Sequence, residues 1–251
     1  MIPEYIKNAK RIVIKIGSAL LFDPVLGEAR KEWMKALAAD VGALRTQGSQ
    51  VVLISSGSIA LGRRHLGLSN KNIRLEEKQA AAATGQIELA QLWSEALANE
   101  GLRAGQILLA PEDTETRRRH INARATIQTL LNLGVVPVVN ENDTVTTYEI
   151  QFGDNDRLAA RVAAMVSADL LILLSDVDGL YTANPHQTET ALHIPEIRDI
   201  TPEIFAMGGT ANEEFASGGM TTKLAAARIS SAAGVGMIIC KGLNNRPVAA
   251  L

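Results

Sequence analysis

Residues 138–156 read VVNENDTVTTYEIQFGDND. An apolar run, Val135–Val139, ends abruptly in Asn140, Glu141, Asn142 and Asp143. After a short excursion a second polar knot, Gly153, Asp154, Asn155 and Asp156, opens an alanine-rich stretch. A continuous apolar run, a polar loop and then helical periodicity predict a buried strand feeding a helix. Asn and Asp also form turns and helix caps, and Asp154 on its own reads as an N-cap. Two carboxamide–carboxylate clusters at the rim of a buried strand point instead to a site. In open α/β sheets, ligands bind beyond the carboxyl ends of the strands.

The same order recurs on both sides of this stretch. Upstream, Arg11–Lys15 predicts a strand running into Gly17 and Ser18, and Val51–Ile54 one running into Ser55, Ser56, Gly57 and Ser58. Gln106–Leu109 predicts a third strand, followed by a charged run read as a solvated helix start. Downstream, Leu170–Leu174 runs into Ser175 and Asp176, and Gly236–Cys240 is the last strand. Helices are expected over Ala29–Gln47, Leu75–Asn99, Ile121–Leu133 and Leu158–Val166, and again after Lys223, with Trp33 and Trp93 as packing residues. Residues 182–210, with three prolines, read as an irregular excursion carrying short strands. Alternating strands and helices predict a three-layer α/β/α sandwich with a largely parallel central sheet. The knots at Lys15–Ser18, Ser55–Ser58, Asn140–Asp143 and Ser175–Asp178 directly follow strands and are expected along one edge of that sheet, and those at Gly153–Asp156 and Ser217–Lys223 open helices that can point at the same edge.

Composition limits the function. The chain has 251 residues, 47% of them apolar and only 4% aromatic, which suits an alanine-packed α/β core and one domain over 1–251. A net charge of −2 marks no nucleic-acid or membrane-surface binder. A single cysteine, Cys240, excludes a disulfide framework and fits a reducing compartment. With no apolar leader and no membrane-length apolar run, a cytoplasmic protein is expected.

Several chemistries drop out. Gly57 and Gly62 have P-loop glycine spacing, but Arg63 and Arg64 stand where Lys-Ser/Thr is required. Ser56 is not in a nucleophile elbow, and His65, His120, His186 and His193 lie in polar or helical contexts without following a strand. No Gly-x-Gly-x-x-Gly follows the first strand, which disfavours a dinucleotide oxidoreductase. Asp176-Val177-Asp178-Gly179 lacks the closing glutamate of a calcium loop. What remains is an edge with two lysines, small-residue amide nests and carboxylates. Lys15 taken alone reads as a snorkelling surface lysine. Ser217, Gly218, Gly219, Met220, Thr221, Thr222 and Lys223, opening a helix, read as a phosphate cradle. The set fits phosphoryl transfer, which relies on positioning and charge stabilisation.

Eight ordered blocks carry a resemblance: IVIKIGSALL, VVLISSGSIALGR, KQAAAATGQ, INARATI, VPVVNENDTV, FGDND, LILLSDVDGLYTANP and SGGMTTKLAAA. Over nearly its whole length the chain resembles the amino acid kinase superfamily and, within it, the glutamate 5-kinase branch. The resemblance implies transfer of the γ-phosphoryl of ATP to the side-chain carboxylate of L-glutamate, giving γ-glutamyl phosphate for proline synthesis. It implies an acid-substrate lobe over about 1–165 and a nucleotide lobe over about 166–251. It assigns glutamate binding to Ser56, Gly57, Asn142, Asp143 and Asn155. ATP binding falls to Lys15, Ser175, Asp176 and the 217–223 loop, with Mg²⁺ carried on the phosphates and no direct protein ligand. Lys15 and Lys223 flank the moving phosphoryl group, and Asp156 with Asp154 orients them. On these roles, Asp156→Ala and Lys223→Ala abolish turnover in a protein that stays folded. The resemblance also implies a homo-oligomer and feedback inhibition by proline, and places the chain's end before the C-terminal PUA-type domain, an RNA-binding-associated fold, that many members carry. The alternatives are a sister kinase acting on another acid or on a nucleotide, and a non-catalytic amino-acid or nucleotide sensor.

Overall fold

The computed structural model describes residues 4–23, 27–68, 73–146, 155–183, 188–209 and 219–251. In chain order the elements are α1 (Glu4–Lys7), β1 (Arg11–Ile16), α2 (Ser18–Leu21), β2 (Phe22–Asp23), β3 (Glu28–Ala29), α3 (Lys31–Thr46), β4 (Gln50–Ser55), α4 (Ser58–His65), α5 (Leu75–Ala98) and β5 (Arg103–Leu109). There follow α6 (Pro111–Glu115), α7 (Arg117–Asn132), β6 (Val135–Glu141), α8 (Asn155–Met165), β7 (Leu170–Ser175), β8 (Leu180–Tyr181), β9 (His193–Ile194), α9 (Pro202–Ala206), α10 (Met220–Ala232) and β10 (Gly236–Lys241).

The central sheet has the order β10-β7-β1-β4-β6-β5, and every neighbouring pair is parallel. Its inner strands are buried on both faces, which is why they read as unbroken apolar runs rather than alternating ones. Ile12, Ile14 and Ile16 of β1 face one core with Leu37 and Val41 of α3 and Leu89 and Trp93 of α5. Val13 faces the other core, with Ile127 of α7, Leu158 and Val162 of α8 and Ala226 of α10. Helices therefore cover both faces, as the alternation predicted. The strands extend a residue or two past their expected ends because polar residues such as Ser55, Glu141 and Ser175 still belong to the ladder.

The charged run after β5 forms two helices, with Arg119 of α7 near Glu112 and Asp113 of α6 (3.0 and 3.5 Å). The excursion after β7 carries the β8–β9 hairpin, in which His193 sits edge-on to Tyr181, and the short α9. Pro185 and His186 lie outside the described residues.

Helices α4 and α5 meet backbone to backbone. A Cβ added to Gly62 would lie 1.7 Å from the Ala81 carbonyl oxygen, and one added to Gly85 would lie 1.9 Å from that of Ser58. The obstacles are backbone atoms, which do not yield as a flexible side chain does. Gly85→Ala is expected to destabilise the protein by about 2 kcal/mol or more. The urea unfolding midpoint checks this; a wild-type midpoint would show that the helices can separate without loss.

Candidate active site

At β1 the sheet order reverses: β4, β6 and β5 lie to one side and β7 and β10 to the other. This is the switch point of an open parallel sheet, where a crevice forms beyond the carboxyl ends of the strands. A cleft of about 600 Å³ opens there. Lys15 enters from β1, Ser56 and Gly57 from the β4–α4 turn, Asp143 from beyond β6, Asn155 from α8, Ser175 from the end of β7 with Asp176 just beyond it, and Lys223 from α10. Gly57 makes the strand-to-helix turn at φ +105°, a left-handed backbone that glycine adopts without strain.

Lys15 does not snorkel. β1 alternation turns it to the α8 side of the sheet, where it is 6% exposed and its Nζ lies 2.5 Å from Asp156 Oδ1. Lys223, in the first turn of α10 and 4% exposed, reaches the other oxygen of Asp156 at 3.2 Å. Thr222 Oγ1 donates to that same oxygen at 3.0 Å. Asp156 is 0% exposed. Burial pushes its carboxyl up, but attraction to Lys15 and Lys223 and hydrogen bonds from Lys15 and Thr222 outweigh burial and hold it below the usual range. Three buried charges thus share one contact, with one positive charge in excess.

The other flank is built from carboxamides and hydroxyls. Asn155 Nδ2 donates to Ser56 Oγ (2.8 Å), Asn140 Oδ1 (3.0 Å) and the Ser55 carbonyl (3.3 Å). Asn140 Nδ2 donates to Gln86 Oε1 (2.9 Å) and Ser58 Oγ (3.2 Å). Ser58 Oγ lies 3.5 Å from Asp143 Oδ2. Burial raises the Asp143 carboxyl to about 6, against the lowering effect of Ser58. From behind, the buried indole of Trp93 donates to Ser55 Oγ at 2.7 Å.

The remaining expected residues fall in different places. Asn142 turns away: its side chain accepts from Thr144 and its main-chain N–H bonds Leu109, and it does not line the cleft. Gly219 caps α10 with no side chain of its own, and Met220 starts the helix. The hydroxyls of Thr221 and Thr222 are taken up internally, by the Gly208 carbonyl and by Asp156 with the Gly219 carbonyl. Ser175 donates to the neighbouring Asp176 at 2.9 Å. Gly153, Asp154, Ser217 and Gly218 lie outside the described residues. Gln86 and Trp93 carry contacts that sequence reading did not assign; Gln86 closes the KQAAAATGQ block, and that is its only signal.

The profile described as "Amino acid kinase family" matches residues 10–241. The chain belongs to the amino acid kinase family. Among similar members, glutamate 5-kinase of Gluconobacter oxydans (strain 621H) is 57% identical over 241 residues, covering 96% of this chain and 64% of that protein. Glutamate 5-kinase of Paramagnetospirillum magneticum (strain AMB-1) is 55% identical over 240 residues, covering 96% and 65%. The chain thus spans just under two thirds of the length of these relatives. Of solved structures, isopentenyl phosphate kinase superposes with a TM-score of 0.65 at 17% identity, covering 96% of this chain and 94% of that one. Carbamate kinase from Giardia lamblia bound to AMP-PNP gives 0.64 at 14%, covering 96% and 98%. These two share the amino acid kinase fold with this chain.

The buried triad changes one expectation about this kinase-family chain. Asp156→Ala takes the shared carboxylate away from two buried lysines, so it unfolds the protein more readily instead of leaving it intact. A loss of about 3–5 kcal/mol is expected at pH 7. Because the folded carboxyl lies below its unfolded value, its stabilisation is present above the ordinary aspartate range and is lost as pH falls through the folded value. The gap between wild type and variant in unfolding midpoint therefore narrows in acid. Equal midpoints at pH 7 would show that the lysines need no partner.

Proposed function

We propose that the chain catalyses ATP-dependent phosphorylation of the L-glutamate side-chain carboxylate, giving γ-glutamyl phosphate, the first step of proline synthesis. The observation that carries the reading is the Lys15–Asp156–Lys223 triad at the meeting of two unlike flanks. Supporting it, the glutamate 5-kinases named above are 55–57% identical to this chain.

The attacking carboxylate has a pKa of about 4.3 and is already ionised at neutral pH, so the step needs no base. It needs neutralisation of the charge spread over the moving phosphoryl oxygens. Lys15 and Lys223, held by Asp156, supply it with one positive charge to spare. The amide start of α10 at Gly219 and the Ser175–Asp176 turn suit the nucleotide. Lysines, glycine amides and a serine suit phosphates better than a bare cation, which fits Mg²⁺ arriving on ATP, where it would offset phosphate charge. Ser56, Asn155 and Asp143 suit the amino acid. On this reading residues 1–165 form the acid-substrate lobe and 166–251 the nucleotide lobe. A homo-oligomer, inhibition by proline and a cytoplasmic setting are proposed with it. Among the described residues no helix is long and apolar enough to cross a membrane.

The test is ADP release from Mg·ATP with L-glutamate, with hydroxylamine to trap the acyl phosphate. Aspartate, N-acetylglutamate and UMP run in parallel. Hydroxamate formed with glutamate supports the proposal; turnover with another acceptor alone moves the chain to a sister kinase. Lys15→Ala and Lys223→Ala are expected to lower kcat about 10²–10³-fold, and near-wild-type turnover in either would remove the assigned role.

Acidity gives a second check. Asp143 is neutral below about 6 and ionised above it, and only the ionised form holds an ammonium group. kcat/KM for glutamate, which reports the free enzyme, is expected to fall roughly tenfold per pH unit below that value. Asp143→Asn removes this limb of the profile. A wild-type profile flat through pH 6 places the ammonium elsewhere.

A further inference from the structure

Gln86 lies on α5, outside the set that lines the cleft. Its place follows from the packing of α5. Gly85 lays the α5 backbone directly against α4, and the next side chain meets Asn140 at the end of β6.

The hydrogen bonds fix which way each carboxamide faces. The Ser55 main-chain carbonyl can only accept, so the Asn155 atom facing it at 3.3 Å is nitrogen. That nitrogen also faces Asn140 at 3.0 Å, so Asn140 presents its oxygen there. The Asn140 nitrogen is thereby turned the other way, towards Ser58 Oγ at 3.2 Å and Gln86 at 2.9 Å, and Gln86 must present its oxygen to receive it. Ser58, accepting from Asn140, has its proton left for Asp143. At the far end of the chain the second edge of Asn155, its Oδ1, is buried and has no hydrogen-bond partner among the described residues. Asn155 and Asp143 both line the cleft. An unfilled buried acceptor and a carboxylate shifted by burial are both satisfied by one kind of group, a cationic N–H donor.

We propose that Gln86 is a positioning residue for the amino-acid flank. It anchors Asn140, and through Asn140 it holds the acceptor edge of Asn155 and the Ser58 proton in the orientation that selects a free ammonium group over an acylated nitrogen. An acylated nitrogen carries no charge and has a single N–H, so it cannot serve Asn155 and Asp143 together. The proposal rests on the reading of this flank as the amino-acid site. Without the Gln86 oxygen, the Asn140 carboxamide loses its outer anchor and can turn over. Its nitrogen then opposes the nitrogen of Asn155, and the selective edge is lost.

The test compares Gln86→Leu, which keeps the bulk and removes the acceptor, with Gln86→Glu, which keeps the acceptor. Gln86→Leu is expected to raise the glutamate KM about tenfold and to lower the preference for glutamate over N-acetylglutamate by a similar factor. Its ATP KM, its kcat at saturating glutamate and its thermal midpoint stay near wild type. Gln86→Glu stays within about twofold of wild type in all of these. An unchanged glutamate KM in Gln86→Leu overturns the proposal, and so does equal impairment of both variants, which would assign Gln86 to packing. Calorimetric titration with L-glutamate reads the same flank without turnover. Wild type binding glutamate but transferring no phosphoryl group sinks the catalytic reading alone, and a tenfold weaker Gln86→Leu would still support the positioning role. Wild type binding no glutamate overturns both.

Discussion

One buried carboxylate holding two buried lysines is the contact on which the rest of this molecule depends. Moving an ion out of water costs several kcal/mol even after relaxation, so isolated buried lysines are not stable as cations. Asp156 makes them tolerable, and in doing so ties together three elements far apart in the chain: the central strand β1, the start of α8 and the start of α10. The fold supplies what this contact needs. A parallel sheet brings the end of β1 beside the starts of the helices that cover one face, and Asp156 sits in the first turn of α8, where the helix dipole favours an anion. The excess positive charge is then a fixed property of this three-residue contact, present before any ligand arrives and needing no reorganisation when charge moves.

The opposite flank works by direction instead of charge. Carboxamides are neutral, so burying them in a chain is far less costly than burying ions, provided each donor finds an acceptor. The Asn155 and Asn140 nitrogens meet that condition along one path that ends on the Gln86 oxygen, with Ser55, Ser56 and Ser58 as side branches. Trp93, in the core beneath, holds Ser55 from the protein side and so carries the rigidity of α5 into the β4–α4 turn. Each flank thus suits a different task. Charge without strong directionality suits phosphate oxygens, and directional acceptors suit the N–H groups of a small amino acid.

The architecture is legible because buried parallel strands are continuous apolar runs, and because each except β5 ends in a turn rich in glycine, serine or Asx residues. The parallel edge then placed Lys15, Ser56, Asp143 and Ser175 together without any knowledge of distance. Pairing was less legible. Nothing near Lys15 in sequence distinguishes a buried lysine from a snorkelling one, since its partner is 141 positions on, at Asp156. Asn142 looked as suitable as its neighbours in the NEND run. The strand extends through Glu141, and beyond it the Asn142 side chain closes locally on Thr144. The sequence marks Trp93 as a packing residue but not as a donor, because the indole N–H leaves no mark on hydrophobic periodicity. Gln86 sits on a helix whose apolar pattern does not involve it. Its role exists only once Gly85 has brought α5 onto α4.

Asn155 and Asp156 are consecutive in the first turn of α8, yet they serve opposite flanks. Asn155 belongs to the carboxamide chain, while Asp156 belongs to the lysines. Neighbouring helix residues point about 100° apart, so one helix start can face both groups, but it cannot shift for one without shifting for the other. A group held at Asn155 Oδ1 therefore fixes the same backbone turn that sets the positions of the Lys15 and Lys223 ammonium groups. Contacts remote from the reacting atoms accelerate a reaction when they are spent on orientation. Here the link between Asn155 and the buried charges is a single peptide unit, so on the proposed reading the amino-acid flank and the phosphoryl-transfer charges are set by the same turn of helix.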